Sequence, residues 1–104
     1  MELKSIPPKD LENYRREENL IIIDLRDRKD YQRHHISGAV NYPFDLLDAN
    51  PYLLKKHQGY LLYCERGTQS FQMTRKLCML GYHVLNLYGG INAYDSYMRN
   101  FPIR

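Results

Sequence analysis

The sequence predicts an α/β domain whose mostly parallel central sheet, of about five strands, is flanked by helices on both faces. Three observations predict it. Short β-branched or aromatic runs recur, among them Leu20-Ile21-Ile22-Ile23-Asp24 and Gly59-Tyr60-Leu61-Leu62-Tyr63. Segments with apolar residues at helical spacing alternate with those runs, and the links are short. The Leu20 run has no polar interruption before Asp24, as expected of a central strand covered on both faces.

Residues 3–6 read as a first short strand. Pro7-Pro8 leads into a helix over residues 9–18, where Leu11 and Tyr14 share a face and Pro8 suits the helix start. The central strand follows over residues 20–24, then a charged surface helix over 27–34. Gly38-Ala39-Val40-Asn41 is a brief strand ended by Pro43, and residues 44–56 hold one or two helical turns broken near Asn50-Pro51. Residues 59–63 form a strand and residues 70–80 a helix carrying Met73, Leu77 and Leu80. Gly81 stops that helix. Residues 83–87 form the last strand, and Gly89-Gly90 turns the chain into a final helix over 91–99.

A chain of 104 residues is expected to be one domain, 1–104, large enough for a core. Its 43% hydrophobic and 26% charged residues fall in the globular range. The formal charge is +3, with Lys and Arg interleaved among Asp and Glu. No basic block argues for nucleic acid as a partner, though the mild excess helps to draw a small anion. The first residues have no apolar core of signal-peptide length, and the longest apolar stretch is too short to cross a bilayer. The expectation is a cytoplasmic protein with no membrane partner. Cys78 lies too far down the helix after Cys64 for a disulfide, so both are expected as thiols, as in a reducing compartment.

The seven residues Cys64-Glu65-Arg66-Gly67-Thr68-Gln69-Ser70 join the strand at 59–63 to the helix that follows. Gly67 can take a positive φ without steric cost. A cysteine in that turn faces backbone N–H groups and the positive end of a helix dipole, and both favour thiolate over thiol. The same geometry suits an anion bound above the sulfur. Ligands of parallel sheets sit beyond the carboxyl ends of the strands, where Cys64 stands. The pattern is that of a nucleophile.

Three segments together resemble the rhodanese (sulfurtransferase) family. Ile22-Ile23-Asp24-Leu25-Arg26-Asp27, running to His35-Ile36-Ser37-Gly38-Ala39-Val40-Asn41-Tyr42-Pro43, is similar to a family pattern of an Asp-x-Arg strand end followed by Gly-His-Ile-Pro-Gly-Ala. The loop from Cys64 to Ser70 resembles Cys-x-x-Gly-x-x-Ser. Leu80-Gly81-Tyr82-His83-Val84 with Leu87-Tyr88-Gly89-Gly90-Ile91-Asn92-Ala93-Tyr94 resembles the family's closing Gly-Gly-x-x-Ala-Trp segment. His34, Ser37 and Tyr94 depart from the usual Gly, Pro and Trp, as packing variations that leave the sulfur chemistry alone. Glu65 is the unusual residue of the loop, because an acid there opposes both thiolate formation and an anionic donor.

The resemblance implies a two-step sulfur transfer. Cys64 takes a sulfane sulfur from a small anionic donor such as thiosulfate, or from a persulfide-carrying protein, and passes it to a thiophilic acceptor. The backbone of residues 65–70 cradles the persulfide, Arg66 attracts the donor, and the hydroxyls of Thr68 and Ser70 donate to sulfur or cap the helix. Asp24 and Arg26 brace the loop by analogy, with a surface pair at a strand terminus as the alternative. No cofactor is implied. A metal site is disfavoured too: His34 and His35 diverge on a helix or strand, and no ligand lies at familiar zinc spacing. His35 is expected to pack or hydrogen-bond in its turn, and Cys78 to be core.

Two other functions remain in view. Family-related phosphatases and arsenate reductases carry an arginine six positions after the cysteine, where this chain has Ser70. A non-catalytic binding or regulatory module is the other, although such modules often lack the cysteine. Oligomeric state is not legible.

Overall fold

The computed structural model describes residues 3–100. In chain order the elements are β1 (Ser5–Ile6), a 3₁₀ turn (Pro8–Asp10), α1 (Leu11–Glu18), β2 (Ile21–Asp24), α2 (Arg28–Arg33), β3 (Val40–Asn41), α3 (Phe44–Ala49), a second 3₁₀ turn (Pro51–Leu53), β4 (Gly59–Tyr63), α4 (Thr68–Met79), β5 (His83–Leu87) and α5 (Gly90–Asn100). The strands form one sheet in the order β1-β5-β4-β2-β3, and every pairing is parallel. The expected α/β fold, with a central parallel sheet and helices on both faces, is the one observed.

Side-chain alternation along the strands builds two cores. Ile22, Leu61, Tyr63, Leu85 and Leu87 point to the face covered by α1, α2 and α5, where they meet Leu11, Ile36 and Ile91. Ile23, Tyr60, Leu62 and Val84 point to the opposite face and meet Leu47 of α3 and Met73, Leu77 and Cys78 of α4. Cys64 continues the β4 alternation onto this second face. The nucleophile candidate is therefore anchored in the core under α4.

The outer strands β1 and β3 hold only two paired residues each, shorter than the runs that suggested them. The first helix is divided: Pro8 opens a 3₁₀ turn and α1 proper starts at Leu11. Helix α4 begins at Thr68, two residues ahead of the expected start, so the polar stretch Thr68-Gln69-Ser70 is its first turn. Gly81 ends α4 in a Schellman turn, its N–H bonded to the Cys78 carbonyl while the Tyr82 N–H reaches Leu77. Among the described residues no helix is long and apolar enough to cross a membrane.

Candidate active site

Cys64 follows β4 directly and is 3% exposed. Its Sγ accepts the Gly67 N–H at 3.1 Å and the Ser70 N–H at 3.3 Å, and the thiol donates to Ser70 Oγ at 3.4 Å. Those N–H groups belong to the residue before α4 and to its first turn, which have no partners within the helix. Cys64 and Cys78 are both free thiols, and Cys78 lies in the core against the Val84 carbonyl. Around the sulfur, Glu65, Arg66, Thr68 and Gln69 are exposed, Gly67 is half-buried and Ser70 fully buried.

Gly67 has φ +100°, and a Cβ there would stand 2.9 Å from the Gly89 nitrogen. No other residue fits without moving the β5–α5 turn. Ser70 does not cap α4, because it is the third residue of that helix and Gly67 occupies the capping position. Its hydroxyl donates to Asn86 Oδ1 at 2.6 Å, and the Asn86 amide donates to Ser5 Oγ at 3.0 Å. Asn86 is 2% exposed on β5. Sequence reasoning missed it, although a lone amide inside His83-Val84-Leu85-Asn86-Leu87 was the available signal.

The second missed contribution comes from the start of α5. The Ile91 N–H donates to the Cys64 carbonyl at 2.9 Å and the Asn92 N–H to the Glu65 carbonyl at 3.1 Å. Peptide planarity then turns the Glu65 and Arg66 N–H groups away from α5. Gly90 permits this approach: its φ is +65°, and a Cβ there would meet the Cys64 and Glu65 carbonyl oxygens at 2.5 Å. The Gly89-Gly90 turn thus shapes the loop as well as the chain direction.

At the end of β2, Asp24 and Arg26 are 0% and 7% exposed, so they are no surface pair. Arg26 Nη2 meets Asp24 Oδ2 at 2.9 Å, and Tyr63 donates its phenol to the same oxygen at 2.7 Å. The Arg26 N–H and Nε hold Asp24 Oδ1 at 2.8 and 3.2 Å, and Nη2 also donates to the His34 carbonyl. The Tyr63 oxygen accepts the Ile36 N–H at 3.1 Å. Burial works against the Arg26 charge, but hydrogen bonding and attraction to Asp24 outweigh it and raise the guanidinium's pKa. Burial, with the bond to Asp24, pushes the Tyr63 phenol well above the usual tyrosine range. Nη1 of Arg26 reaches Glu65 Oε1 at 3.5 Å, a direct side-chain link from this network to the loop.

Two clefts flank the loop. One, of about 370 Å³, is lined by Arg26, Asp27, Asp30, Asp45, Glu65 and Gln69 and is acidic in balance. The other, of about 680 Å³, holds Arg66, Thr68, Phe71, Arg75, Asn86 and Tyr88. Away from the site, His35 stacks on Tyr31 at 3.8 Å and bonds its carbonyl, while His34 pairs with Asp95. Among the described residues no group of three or more His, Cys, Asp and Glu is placed to hold a metal ion.

The Rhodanese-like domain family matches residues 7–97, so the comparison takes in both the Cys64 loop and the α5 start that shapes it. The chain belongs to this family. A tRNA sulfurtransferase of Pyrobaculum aerophilum is 33% identical over 87 residues, covering 84% of this chain but only 18% of the relative. A sulfurtransferase of Allochromatium vinosum is 31% identical over 78 residues, 74% of this chain and 73% of its own length. The rhodanese-related protein of Thermoplasma volcanium shares the fold with a TM-score of 0.82 at 22% identity, over 97% of each chain. This rhodanese-like chain thus spans less than a fifth of the tRNA enzyme it resembles, and most of the length of the smaller relative.

Proposed function

We propose that the chain is a sulfurtransferase that carries a sulfane sulfur as a Cys64 persulfide. The carrying observation is the pair of N–H groups, from Gly67 and Ser70, directed at Sγ at the start of a twelve-residue helix. The Cys64 thiolate attacks the outer sulfur of thiosulfate, the S–S bond to the sulfonate breaks, and sulfite leaves with the electron pair. Cys64 then holds a negatively charged terminal sulfur. An acceptor thiolate or cyanide attacks that sulfur and restores the Cys64 thiolate. Neither step needs an outside oxidant or a proton-transfer base.

The N–H groups of residues 65–70 receive the terminal sulfur, and Arg66 attracts an anionic donor. Asp24 and Arg26 brace the loop through Glu65. Glu65 is half-exposed and its charge is met by Arg26, which leaves Arg66 to set the sign of the field at the loop's outer rim. A persulfide on a protein or a small thiol serves as donor by the same chemistry as thiosulfate. Phosphate transfer is not favoured, because the sixth residue after Cys64 is Ser70, whose hydroxyl is buried against Asn86.

Intact-protein mass measurement after incubation with thiosulfate tests the reading, with Cys64→Ser and Cys78→Ser beside the wild type. The expected result is one added sulfur atom in the wild type and in Cys78→Ser, and none in Cys64→Ser. No gain from thiosulfate or glutathione persulfide would overturn it and favour a binding module.

A further inference from the structure

We propose that Asn86 is a positioning residue whose side-chain amide turns over as Cys64 gains or loses its charge, a role that rests on reading Cys64 as the sulfur carrier. The shortest bonds at the site form a chain with one direction, the Gly67 carbonyl at 3.3 Å being a longer second acceptor for the Ser70 hydroxyl. Cys64 Sγ–H donates to Ser70 Oγ at 3.4 Å, Ser70 O–H to Asn86 Oδ1 at 2.6 Å, and Asn86 Nδ2–H to Ser5 Oγ at 3.0 Å. Cys64, Ser70 and Asn86 are 3%, 0% and 2% exposed, while Ser5 is exposed at the edge strand. The chain therefore runs from the buried sulfur to the cleft on the Arg66 side, which Asn86 itself lines.

An anionic sulfur breaks the first bond, since it has no proton to donate, and a Ser70 lone pair then faces negative charge. Ser70 can turn its proton to the sulfur only by abandoning Asn86 Oδ1, and an unpaired buried amide oxygen is costly. A half-turn of the Asn86 amide removes the conflict. Ser5 O–H then donates to Oδ1, Nδ2–H to Ser70 Oγ, and Ser70 O–H to the sulfur. Every polar atom keeps a partner in both directions. A carboxamide carries a donor and an acceptor at the two ends of one rotor, so a half-turn exchanges them. Aspartate cannot make the reversed set, because its carboxylate donates nothing, and leucine can make neither. The charged groups near the loop are its own Glu65 and Arg66, Asp24 and Arg26 from the end of β2, Arg75 of α4 on the Asn86 side, and Asp27, Asp30 and Asp45 in the acidic cleft; α5 contributes backbone N–H groups to it.

The test uses ¹⁵N-labelled wild-type protein, with the Asn86 side-chain amide resonances followed through a pH titration and again after persulfide loading. The Asn86 signals are expected to move with the same midpoint as the Cys64 ¹³Cβ shift, and to move on loading. Asn86→Asp is expected to slow iodoacetamide alkylation of Cys64 about tenfold at neutral pH, and to carry its pH profile upward. The slowing should largely vanish in a Ser70→Ala background, where Asn86 has nothing to turn. Amide signals that ignore the sulfur's charge, or equal slowing with and without the Ser70 hydroxyl, would overturn the proposal. Failure of every donor to load Cys64 while the amide still tracks the thiol would sink the transfer reading and leave the coupling standing.

Discussion

Arg26 and Arg66 stand on either side of Glu65, and they differ in surroundings more than any other pair near the loop. Arg26 is 7% exposed, and Asp24, Glu65 and the His34 carbonyl meet its guanidinium. Arg66 is exposed and makes no ion pair among the described residues. A buried guanidinium held by Asp24, Glu65 and the His34 carbonyl is poorly placed to bind a passing anion, and an exposed one without a partner adds little to stability. In the proposed sulfur transfer the two ends of the site divide the work: the end of β2 serves rigidity, and the loop rim serves attraction of the donor. Substitutions on the two sides should separate cleanly into losses of stability and losses of transfer.

The largest effect should follow Asp24→Ala, which strands the buried Arg26 charge. Loss of one partner of such a pair costs about 3–5 kcal/mol. Urea unfolding should show a drop of that size; a drop below about 1 kcal/mol would mean that the network is wetter than its burial implies.

Tyr63→Phe comes next, at about 1.5–3 kcal/mol for a hydrogen bond to a charged group. It also carries a pH signature. The Tyr63 phenol titrates above the unfolded value of about 10, so its contribution is complete below that pH and is lost as pH rises past it. In an ultraviolet titration Tyr63 should ionise only as the fold is lost, and the Phe variant should lack that late step. A Tyr63 that titrates with the exposed tyrosines would contradict the network.

On the rim, Arg66→Ala should leave the melting temperature nearly unchanged, within about 0.5 kcal/mol. Thiosulfate loading of Cys64 should slow roughly tenfold, the loss of one charge-assisted contact. The reverse pattern would merge the two roles that Arg26 and Arg66 divide. The smallest effect is expected of Glu65→Gln. Its pair with Arg26 is half-exposed, so stability should change by less than about 1 kcal/mol. Thiosulfate loading should rise by about twofold, seen as a rate difference that fades with added salt.

The parts of the fold legible in the sequence were those written in local pattern. Strands β4 and β5 fall at residues 59–63 and 83–87, where their apolar runs lie. Helix α4 is legible except for its first two residues, because Thr68-Gln69-Ser70 carries no apolar periodicity to announce a first turn. The loop residues were visible through Cys64 and Gly67. The roles of Asn86 and of the α5 start at the loop were not, because they lie in contacts across long stretches of chain. Ser70 meets Asn86 sixteen residues on, and Tyr63 meets Asp24 thirty-nine residues back. A buried amide in an apolar strand says only that a partner exists; it does not say which one.

The two bonds from Ile91 and Asn92 to the carbonyls of Cys64 and Glu65 have a consequence in time. The loop is encoded in the middle of the chain, yet the groups that set its peptides arrive with the last helix. A growing chain that stops short of residue 91 holds Cys64 and every residue of its loop, without the donors that turn those peptides. The setting of the sulfur is therefore completed only when residues 91 and 92 have packed, after the sheet that will carry it; before that, Gly67 and Ser70 supply N–H donors from a loop whose Cys64 and Glu65 carbonyls are not yet held.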